Sequence, residues 1–248
     1  MIIYSLKGWL CMAKKFSQND SIQFKQETLA KFDEYLTELI KQGQQAKSEK
    51  ISYWILNWIE YLKREENFTP KRMLKYKRGS IVKVHLGFNV GSEEGGLHYA
   101  IVLDSHNDLS NPLMTVVPLT SVKQHVDINN LPKNQLFIGD DIFKKLSVKH
   151  EGLLKKISTI HWEQLSDEEY EQYQAELDYA KRVREEISKM KTGSIALIGQ
   201  ITTISKLRIY DPRNKYGVLK DVRVSDTILD EIDQYIIKNY FKKFNKND

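Results

Sequence analysis

The sequence predicts an α+β fold, a small antiparallel and barrel-like sheet with helices before it, inside it and after it. Three observations carry this reading. Apolar residues recur at helical spacing from about Ser21 to Asn67. Short runs rich in β-branched residues follow from about Tyr76 to His125 and again after Ser194, and no crossover helix fits between the strands of the first group. A narrow helical seam after Ser166 interrupts the two groups of strands.

The elements are justified in order. Leu29, Phe32, Leu36, Leu39 and Ile40 form one helical stripe, and Ile51, Trp54, Ile55, Trp58, Ile59 and Leu62 form a second. Gly43 and Ser48 lie between them and predict a turn. The two tryptophans are read as core residues packed on another element, and Thr69-Pro70 ends this part. Val82, Val84 and Leu86 then alternate with Lys83 and His85, as in a strand with one buried face. Tyr99 to Leu103 and Leu113 to Leu119 read as central strands. Ser166-Asp167-Glu168-Glu169 is a capping box, followed by a seam through Tyr170, Tyr173, Leu177, Ala180, Val183 or Arg184, Ile187 and Met190. Thr192-Gly193 closes that helix, whose seam should be covered by the N-terminal helices or by a second copy. Ser194 to Ile204 and Leu207 to Ile209 return to strands. A last helix carries Ile228, Leu229, Ile232, Tyr235 and Ile236, with Ser225 as its cap. The expected division is a helical extension over 1–75 and a strand-bearing domain over 76–248, with a helical insertion at about 164–192.

Composition narrows the function. Hydrophobic content of 41% against 29% charged residues is that of a soluble globular protein. The single cysteine, Cys11, excludes an internal disulfide and a cysteine metal cluster, which fits a reducing cytoplasm. Met1 to Met12 is apolar but short, without the basic start or cleavage site of a secretion signal, and Met12 is a second plausible start. No run approaches the roughly 20 apolar residues that span a bilayer. Net charge of +5 permits nucleic-acid binding. The charge gathers at Lys71, Arg72, Lys75, Lys77, Arg78 and Lys83 and again at Lys238, Lys242, Lys243 and Lys246; a solvated linker and a helix end are the plain readings of these clusters.

One stretch points to a chemistry. Gly79 to Leu86 leads into the loop Gly87 to Gly96, which contains Gly91-Ser92-Glu93-Glu94-Gly95-Gly96, and the next strand opens at His98. Val116-Val117-Pro118-Leu119-Thr120-Ser121 ends in two hydroxyls, and Gln200-Ile201-Thr202-Thr203-Ile204-Ser205 follows later with Lys206 and Arg208. This order resembles the MazF/PemK-type toxin endoribonucleases over roughly Arg78–Ser121 and Ser194–Ile209. The resemblance implies an SH3-like barrel, usually a homodimer, that cuts single-stranded RNA and is held by a cognate antitoxin. It implies His98 and Thr120 as catalytic positions. Lys83, Gly91, Ser92, Glu93, Gly95, Gly96, Ser121, Lys123, Gln200 and Arg208 are the candidates for binding substrate. Three positions depart from the family pattern: His98 and Thr202 stand where arginine is usual, and Gly199 where a carboxylate is frequent.

The residues suit a cleavage without metal or cofactor, in which the neighbouring 2′-hydroxyl attacks the phosphate. Histidine serves as proton donor or acceptor, whereas arginine grips phosphate by two bonds. Thr120 is a hydrogen-bond donor rather than a base. Lys83, Lys123 and Arg208 are the cations available to replace the lost arginine charge. His85, His98, His106 and His125 lack metal-ligand spacing, and the glycine loop lacks the lysine of a nucleotide phosphate loop. Glu93 is the carboxylate placed second in the site. The alternative is a non-catalytic module on the same fold that binds RNA or a protein target.

Overall fold

The computed structural model describes residues 16–190 and 193–241. The sequence expectations for Met1 to Met12, Cys11, Lys191, Thr192, Lys242, Lys243 and Lys246 lie outside the described residues. The chain forms two compact units, Met1–Asn57 and Trp58–Asp248. No described helix is long and apolar enough to cross a membrane.

In the first unit, helix α1 (Gln18–Lys41) starts at a capping box. Ser17 Oγ accepts from the Asp20 amide at 3.2 Å, and Asp20 accepts from the Ser17 amide at 3.1 Å. Helix α2 (Gln45–Glu65) follows after a short turn. Leu39, Ser48 and Ile51 are buried around that turn, while Ile22, Leu29 and Ile40 stay exposed.

The unit boundary falls inside α2, and the end of α2 corrects the tryptophan expectation. Trp58 is 47% exposed and Leu62 46% exposed, so neither is a core residue. The contact at this end of the helix is polar. Tyr61 places its hydroxyl 3.1 Å from His85 Nδ1, with the two rings edge to face. Burial and the nearby Arg208 charge push the His85 pKa down, which suits a neutral ring in this pair.

The second unit is a seven-stranded antiparallel sheet with helices. Its strands are β1 (Ile81–Gly87), β2 (Gly96–Val102), β3 (Leu113–Ser121), β4 (Leu136–Phe137), β5 (Ser194–Ala196), β6 (Thr202–Ser205) and β7 (Ile209–Asp211). The order is β4-β5-β3-β2-β1-β7, and β6 also pairs with β3; the sheet is open. Alternation along the strands fills both faces. Ile81, Ile101, Val117 and Ile198 join one apolar cluster, and Val82, Val84, Ala100, Met114, Val116 and Ile204 join the other.

Helix α3 (Asp141–Ser158) is absent from the sequence reading, although Ile142, Leu146, Leu153 and Ile157 recur at its spacing. Helix α4 (Asp167–Ser188) begins at the expected capping box, with Glu169 Oε2 accepting from the Ser166 amide at 2.9 Å. Its seam packs against α3 and the first apolar cluster through Ala180, Val183 and Ile187, so this chain covers it from within the same unit. The lone seam of the sequence was the half of a helix pair whose partner had not been read. Helix α5 (Asp226–Tyr240) buries Leu229 and Ile232. Ser225 sits at its cap position without a capping side-chain bond; its amide donates instead to Asp141 at 3.1 Å.

One buried polar link ties α4 to the sheet. Lys83 of β1 donates to Glu186 at 2.6 Å, and the Tyr99 hydroxyl donates to the same carboxylate oxygen. Burial alone would raise the Glu186 pKa, but the bonds from Lys83 and Tyr99 outweigh it and the net shift is downward. Truncating one member strands a charge in a poorly solvated place.

Two outcomes follow for stability. Glu186→Ala should cost about 3–5 kcal/mol in denaturant unfolding. Because the folded-state pKa lies below the ordinary value of 4.5, the margin of wild type over Glu186→Gln should be fully present above that value and shrink as pH falls through the depressed one. Trp58→Ala should lose well under the about 3–5 kcal/mol of a sealed aromatic ring, read as a small change in denaturation midpoint.

Candidate active site

The site is built where two strands separate. β2 and β3 pair at Val102–Val116, Ile101–Val117 and Ala100–Pro118. Continued by two residues, this register would set His98 directly against Thr120. Instead β2 goes on with β1, where His98 is opposite Val84, and β3 goes on with β5, where Thr120 is opposite Ile195. A cavity of about 300 Å³ opens in the gap, lined by His98, Tyr99, Leu119, Thr120, Ser121 and Lys123 among others.

The His98 ring crosses that gap. Nδ1 lies 3.1 Å from the Leu119 carbonyl oxygen, and Nε2 lies 2.9 Å from Glu94 Oε1. A carbonyl only accepts, so Nδ1 carries a proton, and Nε2 faces the carboxyl group of Glu94. The ring is thus held between two oxygens, one on each nitrogen.

A second cavity of about 620 Å³ lies on the other side of this pair. Asn89, Ser92, Glu93, Glu94, Pro118, Asn134, Gly199, Gln200, Thr202 and Arg208 contribute to its wall. The glycine loop forms one lip. Gln200 grips it twice: its Oε1 accepts from the Glu94 amide, and its Nε2 donates to the Ser92 carbonyl at 3.1 Å. The short helical turn Ile198–Gln200, between β5 and β6, projects this side chain. Gly95 is required by contact, since a Cβ there would sit 2.8 Å from the Gly87 carbonyl oxygen. Glu93 accepts from the Val90 amide at 3.4 Å and shapes the loop.

The predicted residues therefore divide. His98, Thr120, Ser121 and Lys123 share the smaller cavity, whereas Ser92, Glu93, Gln200 and Arg208 share the larger. Gly91 and Gly96 adopt left-handed conformations in the loop between. Arg208 lines the larger cavity while its guanidinium donates to the His85 carbonyl at 2.7 Å and to the Leu86 carbonyl. Lys83 is the one drawn elsewhere, into its bond with Glu186. Lys206, directly after β6, is fully buried and donates to the Asp108 carbonyl at 2.9 Å.

Two site residues escaped the sequence reading. Glu94, rather than Glu93, meets the histidine; its position four residues before His98 was the available signal. Asn134 enters the larger cavity from a loop distant in sequence. A Cβ at Gly199 would come within 2.5 Å of the Asn134 amide nitrogen, so the glycine makes room for it. Among the described residues, no three His, Cys, Asp or Glu side chains gather in a way that would hold a metal ion.

A fork between antiparallel strands, a glycine loop clamped over a groove and a paired histidine define a fold with one concentrated polar site. Residues 77–190 match the sequence model of the PemK-like, MazF-like toxin of type II toxin-antitoxin system. This region carries the chain's similarity to the MazF/PemK-like toxin family. The match includes the loop, His98 and Thr120, and it ends before Gln200 and Arg208. No curated protein matches the chain.

Gln200→Ala removes both clamps on the loop. Limited proteolysis should then cut between Gly91 and Gly96 faster than in wild type, with thermal stability nearly unchanged.

Proposed function

We propose that this protein is a toxin-like endoribonuclease that cleaves single-stranded RNA, without metal, by attack of the 2′-hydroxyl on the adjacent phosphate. The observation that carries the reading is that His98 and Thr120 line one cavity beside the clamped glycine loop. The family match over the same residues supports it. A third cavity of about 490 Å³, lined in part by Lys63, Arg64, Arg72 and Arg213, adds a positive surface suited to a phosphate backbone.

In the proposed step the 2′-hydroxyl gives its proton to water, the O2′–P bond forms and the P–O5′ bond breaks, and O5′ takes up a proton, leaving a 2′,3′-cyclic phosphate and a 5′-hydroxyl. Nδ1 of His98 is fixed on Leu119, so Nε2 is the nitrogen that faces the reaction. As an imidazolium it clamps the phosphate and has a proton to give to the leaving O5′. Thr120 donates a hydroxyl hydrogen bond to a phosphate oxygen, and Lys123 adds charge. Unstacked bases are read in the larger cavity, where Asn134 and Gln200 present amides. The reading includes an SH3-like bending of the sheet, a homodimer, a cognate antitoxin and a cytoplasmic setting.

A second reading, a non-catalytic module binding RNA or a protein target, draws on one observation. Both nitrogens of His98 are already engaged.

Cleavage of a long RNA in EDTA, with mapped ends, separates the two. Cyclic phosphate ends are expected, and His98→Ala should lower the rate by roughly 10²–10⁴-fold with a much smaller loss of binding. Thr120→Ala should cost roughly 10²-fold or more if its hydroxyl stabilises the transition state. His98→Arg should keep activity if the position supplies charge, and bind but cut slowly if it supplies a proton. Equal cleavage by wild type, His98→Ala and Thr120→Ala would remove both residues from the mechanism.

A further inference from the structure

The two cavities of the site are neighbours with a wall between them. Glu94 lines the larger and His98 the smaller, and the two side chains meet at 2.9 Å. Pro118 and Leu119, adjacent on β3, are divided in the same way. A nucleic-acid strand running through the loop-side groove to Thr120 would have to pass this pair.

We propose that Glu94 is a removable partition: its carboxylate occupies the Nε2 donor of His98 in the free protein, and a phosphodiester takes its place, joining the two cavities into one channel. The chemistry of the exchange is like for like. A carboxylate and a phosphodiester are both monoanions whose oxygens accept from an N–H donor, so either can occupy the position that Glu94 Oε1 holds 2.9 Å from Nε2. The small cavity already holds the other groups such an anion needs, the hydroxyls of Thr120 and Ser121 and the ammonium-bearing side chain of Lys123. Glu94 is carried by the loop that Gln200 clamps through the Glu94 amide itself, so its backbone stays held while its side chain swings out. The Leu119 carbonyl keeps hold of Nδ1 throughout, so the ring does not leave with the carboxylate. Glu94 is thus a positioning residue that sets the cost of substrate entry. The identity of the strand as RNA rests on the function proposed above; the exchange of anions on His98 does not.

The test uses the full chain as wild type, Glu94→Gln and Glu93→Gln. The last removes the same charge from the same loop without touching His98. Dimethyl phosphate is titrated while the ¹⁵N resonances of the His98 ring are followed, and a 2′-O-methyl oligonucleotide of mixed sequence is titrated by fluorescence anisotropy. Glu94→Gln should respond to dimethyl phosphate at about tenfold lower concentration than wild type, with Nε2 moving more than Nδ1. Glu93→Gln should stay within about threefold of wild type. The oligonucleotide should follow the same ranking. A ring that responds alike in all three proteins, or in none, overturns the partition. Equal gains in both variants overturn it too, since they reduce it to general charge removal. If the ring behaves as expected but no oligonucleotide binds, the partition stands and the RNA reading falls. If the oligonucleotide binds all three equally and the ring is silent, the reverse holds.

Discussion

The separation of β2 from β3 beyond the Ala100–Pro118 pair is the constraint on which the site depends. Antiparallel strands that stay paired leave no room between their backbones, and side chains on them face outward. Here each strand keeps its other neighbour, β1 for β2 and β5 for β3, so the gap is held open by hydrogen bonds on both flanks. The Leu119 carbonyl then lacks a β2 amide across the gap, and His98 supplies the donor. A buried carbonyl without a partner is costly, so a side chain that satisfies it is placed firmly. The position of the ring is therefore a consequence of backbone accounting.

The second support lies on the far side of the sheet. Lys83, Tyr99 and Glu186 form a set in which one carboxylate oxygen receives an ammonium and a hydroxyl, with Lys189 3.6 Å from the other oxygen. Tyr99 follows His98 directly, so the residue that points into the cavity and the residue that anchors α4 are neighbours on β2. Helices α3 and α4 thus brace the strand that carries the histidine. Lys83 is committed to that brace, and the lysine that lines the cavity is Lys123.

A histidine rather than an arginine at position 98 has a physical meaning in this setting. An arginine holds its charge at any pH and needs no partner to keep it. A histidine needs acceptors placed at both nitrogens, and Leu119 and Glu94 provide them. The histidine, the glutamate four residues before it and the carbonyl exposed by the strand fork act together. Read singly, each would pass as a surface detail.

Much of the architecture was legible from periodicity alone. The strand runs around Val82, Ile101 and Val117, the capping box at Ser166 and the apolar stripe of α5 rest on local rules of alternation and capping, which the chain carries in sequence order. The loop and the pairing of His98 with Thr120 in one cavity were readable as an order of motifs. What sequence could not decide depends on residues far apart in the chain. Trp58 looked like a core residue because a stripe shows which face is apolar but not whether anything covers it. Helix α3 was missed, so the seam of α4 lacked its partner. Lys83 looked free because its counterion sits on α4, and Asn134 looked unremarkable because Gly199 alone gives it space. Local structure follows from spacing along the chain. Which charges pair, which carbonyls go unsatisfied and which cavities stay apart is decided only when strands and helices distant in sequence meet.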